Sequence, residues 1–221
     1  EDRGLVHATI GSTIVGEREF SFRHILTQEV AYESLPRRER ATAHARVAEW
    51  IERQTAERER EFAELLAHHY EEAYRAVLET SRPGATDRER LRERAFHHAM
   101  LAANEARRKL ALEQAERFAA TALSVAEGTR EHADALEALG MTYFHDYRGD
   151  IAWDHLKEAI DLRAGSSEDL GEDSSRSLAH LCAAALEIVT RARGTMRHRI
   201  TREEAERYLA IGLAAAGEGD D

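Results

Sequence analysis

The stretch ALEALGMTYFHDYRGDIAWDHLKEAIDL, residues 135–162, narrows the possible folds more than any other part of the chain. Leu136, Leu139, Gly140 and Tyr143 recur at helical spacing before a polar break, and Ala152, Leu156 and Ala159 do so after it. Two helices joined by so short a break run antiparallel. Gly140 and Ala152 are expected to face each other at the crossing, because only side chains this small let two helix backbones approach closely. Tyr143 and Leu156 then fill the gaps beside them. A degenerate copy lies 37 residues earlier, with Ala103 and Ala106 in its first helix and Ala115, Ala119 and Ala122 in its second. A distorted third copy follows the acidic connector GSSEDLGEDSS (165–175). Leu178, Leu181, Cys182 and Ala185 predict its first helix; Ala205, Leu209 and Gly212 predict its second, started by a Thr201–Glu204 capping box. The intervening EIVTRARGTMRHRI lengthens the first helix and its loop. One such hairpin cannot bury its apolar face alone, so neighbours stack into a solenoid with a concave groove.

These offsets resemble the small and large positions of the tetratricopeptide repeat (TPR). The expected fold is therefore mainly α, with a TPR-like α-solenoid of about three helical hairpins over residues 88–221. Upstream the pattern differs. LVHATI (5–10) and EFSFR (19–23) alternate as strands do and predict a β-hairpin. A helix over about 23–35 ends at Pro36, since the residue before proline is pushed out of the α region. A second runs from Arg37 to about Arg58 with Val47, Trp50 and Ile51 on one stripe. A third, over 60–79, sets Phe62, Leu65, Leu66, His69, Tyr70, Ala73, Tyr74 and Val77 on one side. TSRPGATD (80–87) is the main boundary, and Thr86 with Glu89 predicts a capping box there. The tail GEGDD is expected to fray.

The totals exclude several classes of function. The net charge of −11 argues against nucleic acid or an anionic membrane as the main partner. No apolar run approaches the length of a membrane span, and a single cysteine, Cys182, precludes an intramolecular disulfide, so a cytoplasmic setting is expected. Neither Lys109 nor Lys157 is followed by Ser or Thr after a glycine-rich loop, so no phosphate loop is present. His68–His69 and His97–His98 are adjacent pairs whose members point about 100° apart on a helix of 3.6 residues per turn. With no HExxH and no zinc-type Cys/His spacing, no metal is expected. Ser12, Ser34 and Ser124 stand outside nucleophile contexts, and Glu71/Glu72 and Glu203/Glu204 read as solvated charges. This chain is expected to carry neither catalysis nor cofactor. It opens without Met inside a strand-like pattern, which predicts a piece of a longer polypeptide.

Taken in order, FSFRHILTQEVAYESL, RRERATAHARVAEWIE, LAHHYEEA and the helices after them resemble the region following the ATPase core of STAND-type ATPases. Many bacterial members are fused to adenylate/guanylate cyclase or LuxR-type DNA-binding domains. The resemblance implies that residues 1–36 are a partial winged helix, a wing hairpin plus one helix, and that 37–87 are connecting helices. Phe22, His24, Val30, Ala31, Tyr32, Leu35, Arg38 and His44 sit at its motif positions, while Gln28 and Ala43 depart from its usual basic and large aliphatic residues. It further implies an arm that joins a nucleotide-binding core to sensor repeats, with ATP and Mg held only by that upstream core.

The expected function is a non-catalytic sensor and interaction module. A protein segment or small effector would bind the repeat groove, for which Asn104, Arg107, Arg108, Tyr143 and Tyr147 are candidates. Trp153 fits inter-repeat packing better than contact with a ligand. The alternative is a DNA-binding transcriptional regulator that uses the winged-helix segment. The basic runs RRER (37–40) and ARRKLAL (106–112) could contact an acidic partner, a nucleotide phosphate in an upstream core or, least readily, DNA, but they read better as helix faces paired with nearby Glu.

Overall fold

The alternating residues at the start of the chain form a β-hairpin. Strands β1 (Val6–Ala8) and β2 (Phe20–Phe22) pair antiparallel, with Val6 opposite Phe22 and Ala8 opposite Phe20. The structure is a computed structural model; it describes residues 4–14, 16–79, 85–165, 172–191, 194, 196–197 and 199–217, with backbone alone at 85, 86, 172 and 173. Among the described residues the elements after β2 are all helices. Helix α1 (Ile25–Ser34) ends two residues before Pro36, with Leu35 extended at ψ 130° as a residue preceding proline must be. Helix α2 (Arg37–Thr55) restarts at once. A 3-10 segment, Ala56–Phe62, is broken at Arg58 by a non-helical φ of −128°, and α3 (Ala63–Leu78) follows.

The chain divides into two compact units, Glu1–His98 and Ala99–Asp221, and the division falls inside α4 (Ala85–Arg108). In the first unit α2 packs along α3. The buried row on α2 is Ala41, Ala48, Ile51 and Thr55, against Leu66, Tyr70, Ala73 and Tyr74 on α3. Of the expected stripe only Ile51 is fully inside; Val47 is 39% exposed. Alanines at the contact bring the two backbones close, and a valine in the same row would hold them apart. The proposed boundary at Pro83 and Gly84, and the side chain of Thr86 with its capping box, lie outside the described residues.

In the second unit α5 (Leu112–Val125), α6 (Gly128–His145), α7 (Gly149–Gly165), α8 (Glu172–Arg191) and α9 (Arg202–Gly217) each pack on the next. The turns ending α4 and α6 have one geometry. The Ala111 N–H donates to the Ala106 carbonyl at 2.9 Å and Leu110 N–H to Arg107 at 3.0 Å. At a spacing of 37 in the numbering, Arg148 N–H donates to Tyr143 at 2.9 Å and Tyr147 N–H to Phe144 at 3.2 Å. This is the Schellman ending, and Leu110 and Tyr147, both at φ 58°, take its left-handed position.

The close crossing of α6 and α7 is present. A Cβ on Gly140 would lie 2.6 Å from Cγ and Cδ2 of Leu156 and 3.2 Å from the Ala152 carbonyl oxygen. On α9 a Cβ at Gly212 would lie 2.8 Å from Cβ of Cys182. Cys182 is thus a small residue at a helix contact, and burial pushes its thiol up to about 11. The Thr201 capping box also forms: the Thr201 N–H and hydroxyl donate to Glu204 Oε2 at 2.9 Å, and Glu204 N–H donates back to Thr201 Oγ1 at 3.1 Å. Leu209 does not point inward as expected; it is 47% exposed, and Tyr208 is buried instead. The contact of Gly212 with Cys182 fixes the rotation of α9, so its inner row runs through Tyr208, Gly212 and Ala215. Tyr208 meets Trp153 edge-on at 5.4 Å. Among the described residues no helix is long and apolar enough to cross a membrane.

Candidate functional site

Pro36 turns the chain so sharply that the end of α1 meets the second turn of α2. Tyr32 Oη lies 3.0 Å from His44 Nε2, and the Arg40 guanidinium sits over the Tyr32 ring at 5.2 Å. On its other side His44 Nδ1 lies 2.9 Å from Nδ1 of His69 on α3. Burial, assisted by His44 and His68, holds His69 down to about 4, so it is neutral at pH 7. One of the two Nδ1 atoms carries the proton between them, and the other face of His44 bonds the Tyr32 hydroxyl. Two of the motif positions, Tyr32 and His44, are joined in this relay. Phe22 on β2, His24 ahead of α1 and Arg38 in the first turn of α2 stay exposed outside it.

A second polar cluster gathers around Glu52 of α2. Its Oε2 accepts from the Tyr70 hydroxyl at 2.6 Å; its Oε1 faces His98 Nε2 at 2.8 Å and accepts from Arg94 Nη1 at 2.9 Å. The Tyr70 and His98 rings stack at 5.1 Å, 3° from parallel, and His98 has no exposed surface. Burial raises the Glu52 carboxyl, but the bonds from Tyr70 and His98 and the charge of Arg94 outweigh it and hold it below the usual range. Burial likewise holds the His98 imidazole below its usual value, against the opposing bond from Glu52. Beyond His98 stands Glu59 of the 3-10 segment, whose Oε1 is 3.2 Å from His97 Nε2 and 3.7 Å from His98 Nδ1. Tyr70, Glu52 and Arg94 also line a cleft of about 190 Å³.

The groove candidates of the second unit separate by environment. Asn104 accepts from Arg107 at 3.1 Å, and Arg108 pairs with Glu105 at 3.0 Å. Tyr143 is buried as a strut between helices: its hydroxyl donates to Glu116 at 2.9 Å, and Arg148 covers its ring at 4.4 Å. Tyr147 is 75% exposed. It also occupies a backbone position that costs an L-residue about 1–2 kcal/mol and a glycine almost nothing. Tyr147→Gly is expected to stabilise the chain by about 1 kcal/mol, read as a melting temperature about 2–4 °C higher.

Sequence spacing missed Glu52, Glu59 and the union of His44 with His69. The histidine pairs were visible, but the partner that completes each comes from a different element. Comparison with protein-family models, with curated proteins and with solved structures finds no match.

Proposed function

We propose that this chain is the arm and sensor module of a STAND-type signalling ATPase. Residues 5–35 act as the remaining half of a winged helix that docks on an upstream nucleotide-binding core in cis, and the helices from α4 onward form TPR-like repeats that take a protein segment or small effector. Catalysis belongs to that core, and the setting is cytoplasmic. What supports this reading most is the surface of the arm. Helix α1 buries none of its ten residues. Ile25, Leu26 and Val30 are 66%, 69% and 68% exposed, and Phe20 of the hairpin is 53% exposed. Exposed apolar side chains grouped on so short a segment mark an interaction surface. Two short strands and one short helix are too little to bury it by themselves. The Tyr32–His44–His69 relay ties the arm to α3 and so gives docking a path into the connecting helices.

The test begins with the reading frame upstream of the Glu1 codon, which is expected to encode a phosphate loop ending in Lys-Ser or Lys-Thr. The pair Leu26→Gln and Val30→Gln is expected to leave the melting of the 221-residue chain unchanged within about 0.5 kcal/mol, because both side chains are already exposed. In the full polypeptide the same pair is expected to change basal ATP turnover several-fold. An upstream frame without a phosphate loop, or turnover indifferent to the pair, refutes the reading.

A further inference from the structure

We infer that Glu59, His97 and His98 form a binding site for one divalent transition-metal ion of the zinc class. The argument starts at the buried histidine. Glu52 Oε1 stands 2.8 Å from His98 Nε2. Glu52 is an ionised acceptor already taking bonds from Tyr70 and Arg94, so His98 must donate from Nε2. That fixes the tautomer and leaves a lone pair on Nδ1. This Nδ1 is buried without a hydrogen-bond partner and faces the carboxylate oxygen of Glu59 at 3.7 Å. Two acceptors are thus aimed at one another with no proton between them. A cation is what satisfies both.

The third ligand completes a set with suitable spacing. His97 Nε2 lies 3.2 Å from the same Glu59 oxygen, and the three ligand atoms all fall within 4.8 Å of one another. Metal–ligand bonds of about 2.0–2.1 Å at tetrahedral angles put ligand atoms roughly 3.3 Å apart. The observed 3.2 and 3.7 Å bracket that value. The divergence of adjacent helix residues is overcome by the choice of nitrogen. The His97 and His98 rings stand 79° apart, and His97 reaches through its far Nε2 while His98 uses its near Nδ1. Glu59 comes to meet them from the 3-10 segment, broken at the neighbouring Arg58. The Glu52 carboxylate on the far side of His98 is the outer-shell partner that metal-bound histidines characteristically have. Three protein ligands leave a fourth position for water or another donor.

The competing occupant is a proton, which would make His98 an imidazolium between Glu52 and Glu59. His98 has no exposed surface, the His97 ring stands 4.9 Å away, and Arg94 already pairs with Glu52 at 2.9 Å, so no solvent is at hand to support a second positive charge there. The other histidine group, His44, His68 and His69, has no such vacancy, because Nδ1 of His44 and of His69 satisfy each other at 2.9 Å. It serves as the internal control.

The experiment titrates the metal-free 221-residue chain with Zn2+ by calorimetry and with Co2+ by its visible absorption. One ion per chain is expected, with tetrahedral cobalt bands and a melting temperature about 5 °C higher at a hundredfold excess over the dissociation constant. His97→Ala and Glu59→Gln are each expected to weaken binding at least about tenfold, as is the outer-shell change Glu52→Gln. The side chains of His97 and Glu59 are 56% and 40% exposed, so these variants keep the fold, which circular dichroism checks. His68→Asn is expected to leave binding intact. No saturable uptake up to millimolar Zn2+, or uptake abolished by His68→Asn and indifferent to His97→Ala and Glu59→Gln, overturns the site.

Discussion

Gly140→Val is expected to lower the unfolding free energy of the second unit by at least about 2 kcal/mol, the scale of overpacking a closed core. The Cβ alone would sit 2.6 Å from two carbons of Leu156, a side chain with no exposed surface and nowhere to swing. The Ala152 carbonyl at 3.2 Å closes the other direction, and it is backbone. Gly140→Ala should do less harm, because alanine recovers up to about 1 kcal/mol of helix propensity. Leu156→Ala alone is expected to cost about 2–5 kcal/mol by opening a cavity. In the valine background the same truncation removes the atoms that clash, so its cost should shrink by about 1 kcal/mol or more, a coupling that only contacting residues show. The chain carries one tryptophan in each unit, Trp50 and Trp153, so Trp50→Phe leaves a fluorescence signal from the second unit alone. Denaturation of the four corners of this cycle reads the coupling directly. Simple additivity would mean that the helices are not held by this crossing.

That crossing was legible because it leaves a mark in the sequence that nothing else explains. A glycine inside a helical pattern destabilises the helix, so Gly140 needs a reason, and close approach of Ala152 and Leu156 supplies it. The capping box at Thr201 and the stop at Pro36 were legible for the same kind of reason, since each is a local backbone requirement. Where a choice depended on how one helix is rotated against another, periodicity misled. Val47 and Leu209 have the hydrophobicity of core residues, yet Ala48 and Tyr208 are buried in their place. Alanine carries little weight in a hydrophobic pattern, although its size decides how near two helices come. The polar clusters were less legible still. Glu59 reaches the histidines only because the chain breaks at Arg58, and no spacing rule anticipates that break. The apolar spacing of α1 was visible, but a pattern cannot say whether the face it predicts is covered, and here it is open.

Glu52→Ala is expected to destabilise the first unit by about 3 kcal/mol or more. It strips the acceptor from the Tyr70 hydroxyl and from His98 Nε2, and Tyr70 and His98 are only 2% and 0% exposed. A buried polar group left without a partner costs about 1–3 kcal/mol, and here two are left together. Glu52→Gln keeps an acceptor in place and loses only the charge opposite Arg94, so it should cost about 1 kcal/mol. Trp50 fluorescence in a Trp153→Phe background, with a chelator present, follows the unit. The same network fixes the response to acid. His98, and His155 in the second unit, are held below the ordinary 6.5 by burial. The unfolded chain therefore takes up protons near pH 6.5 that the folded chain declines, and stability rises with pH through that window and falls below it. Glu52, held below its ordinary 4.5 despite burial, adds a loss of the same sign at lower pH. The melting temperature should fall steadily from pH 7.5 to 4. A rise between pH 7.5 and 5.5 would instead mean that folding raises the proton affinity of these histidines, as an imidazolium at His98 bridging Glu52 and Glu59 would require, and the neutral tautomer argued for His98 would be wrong.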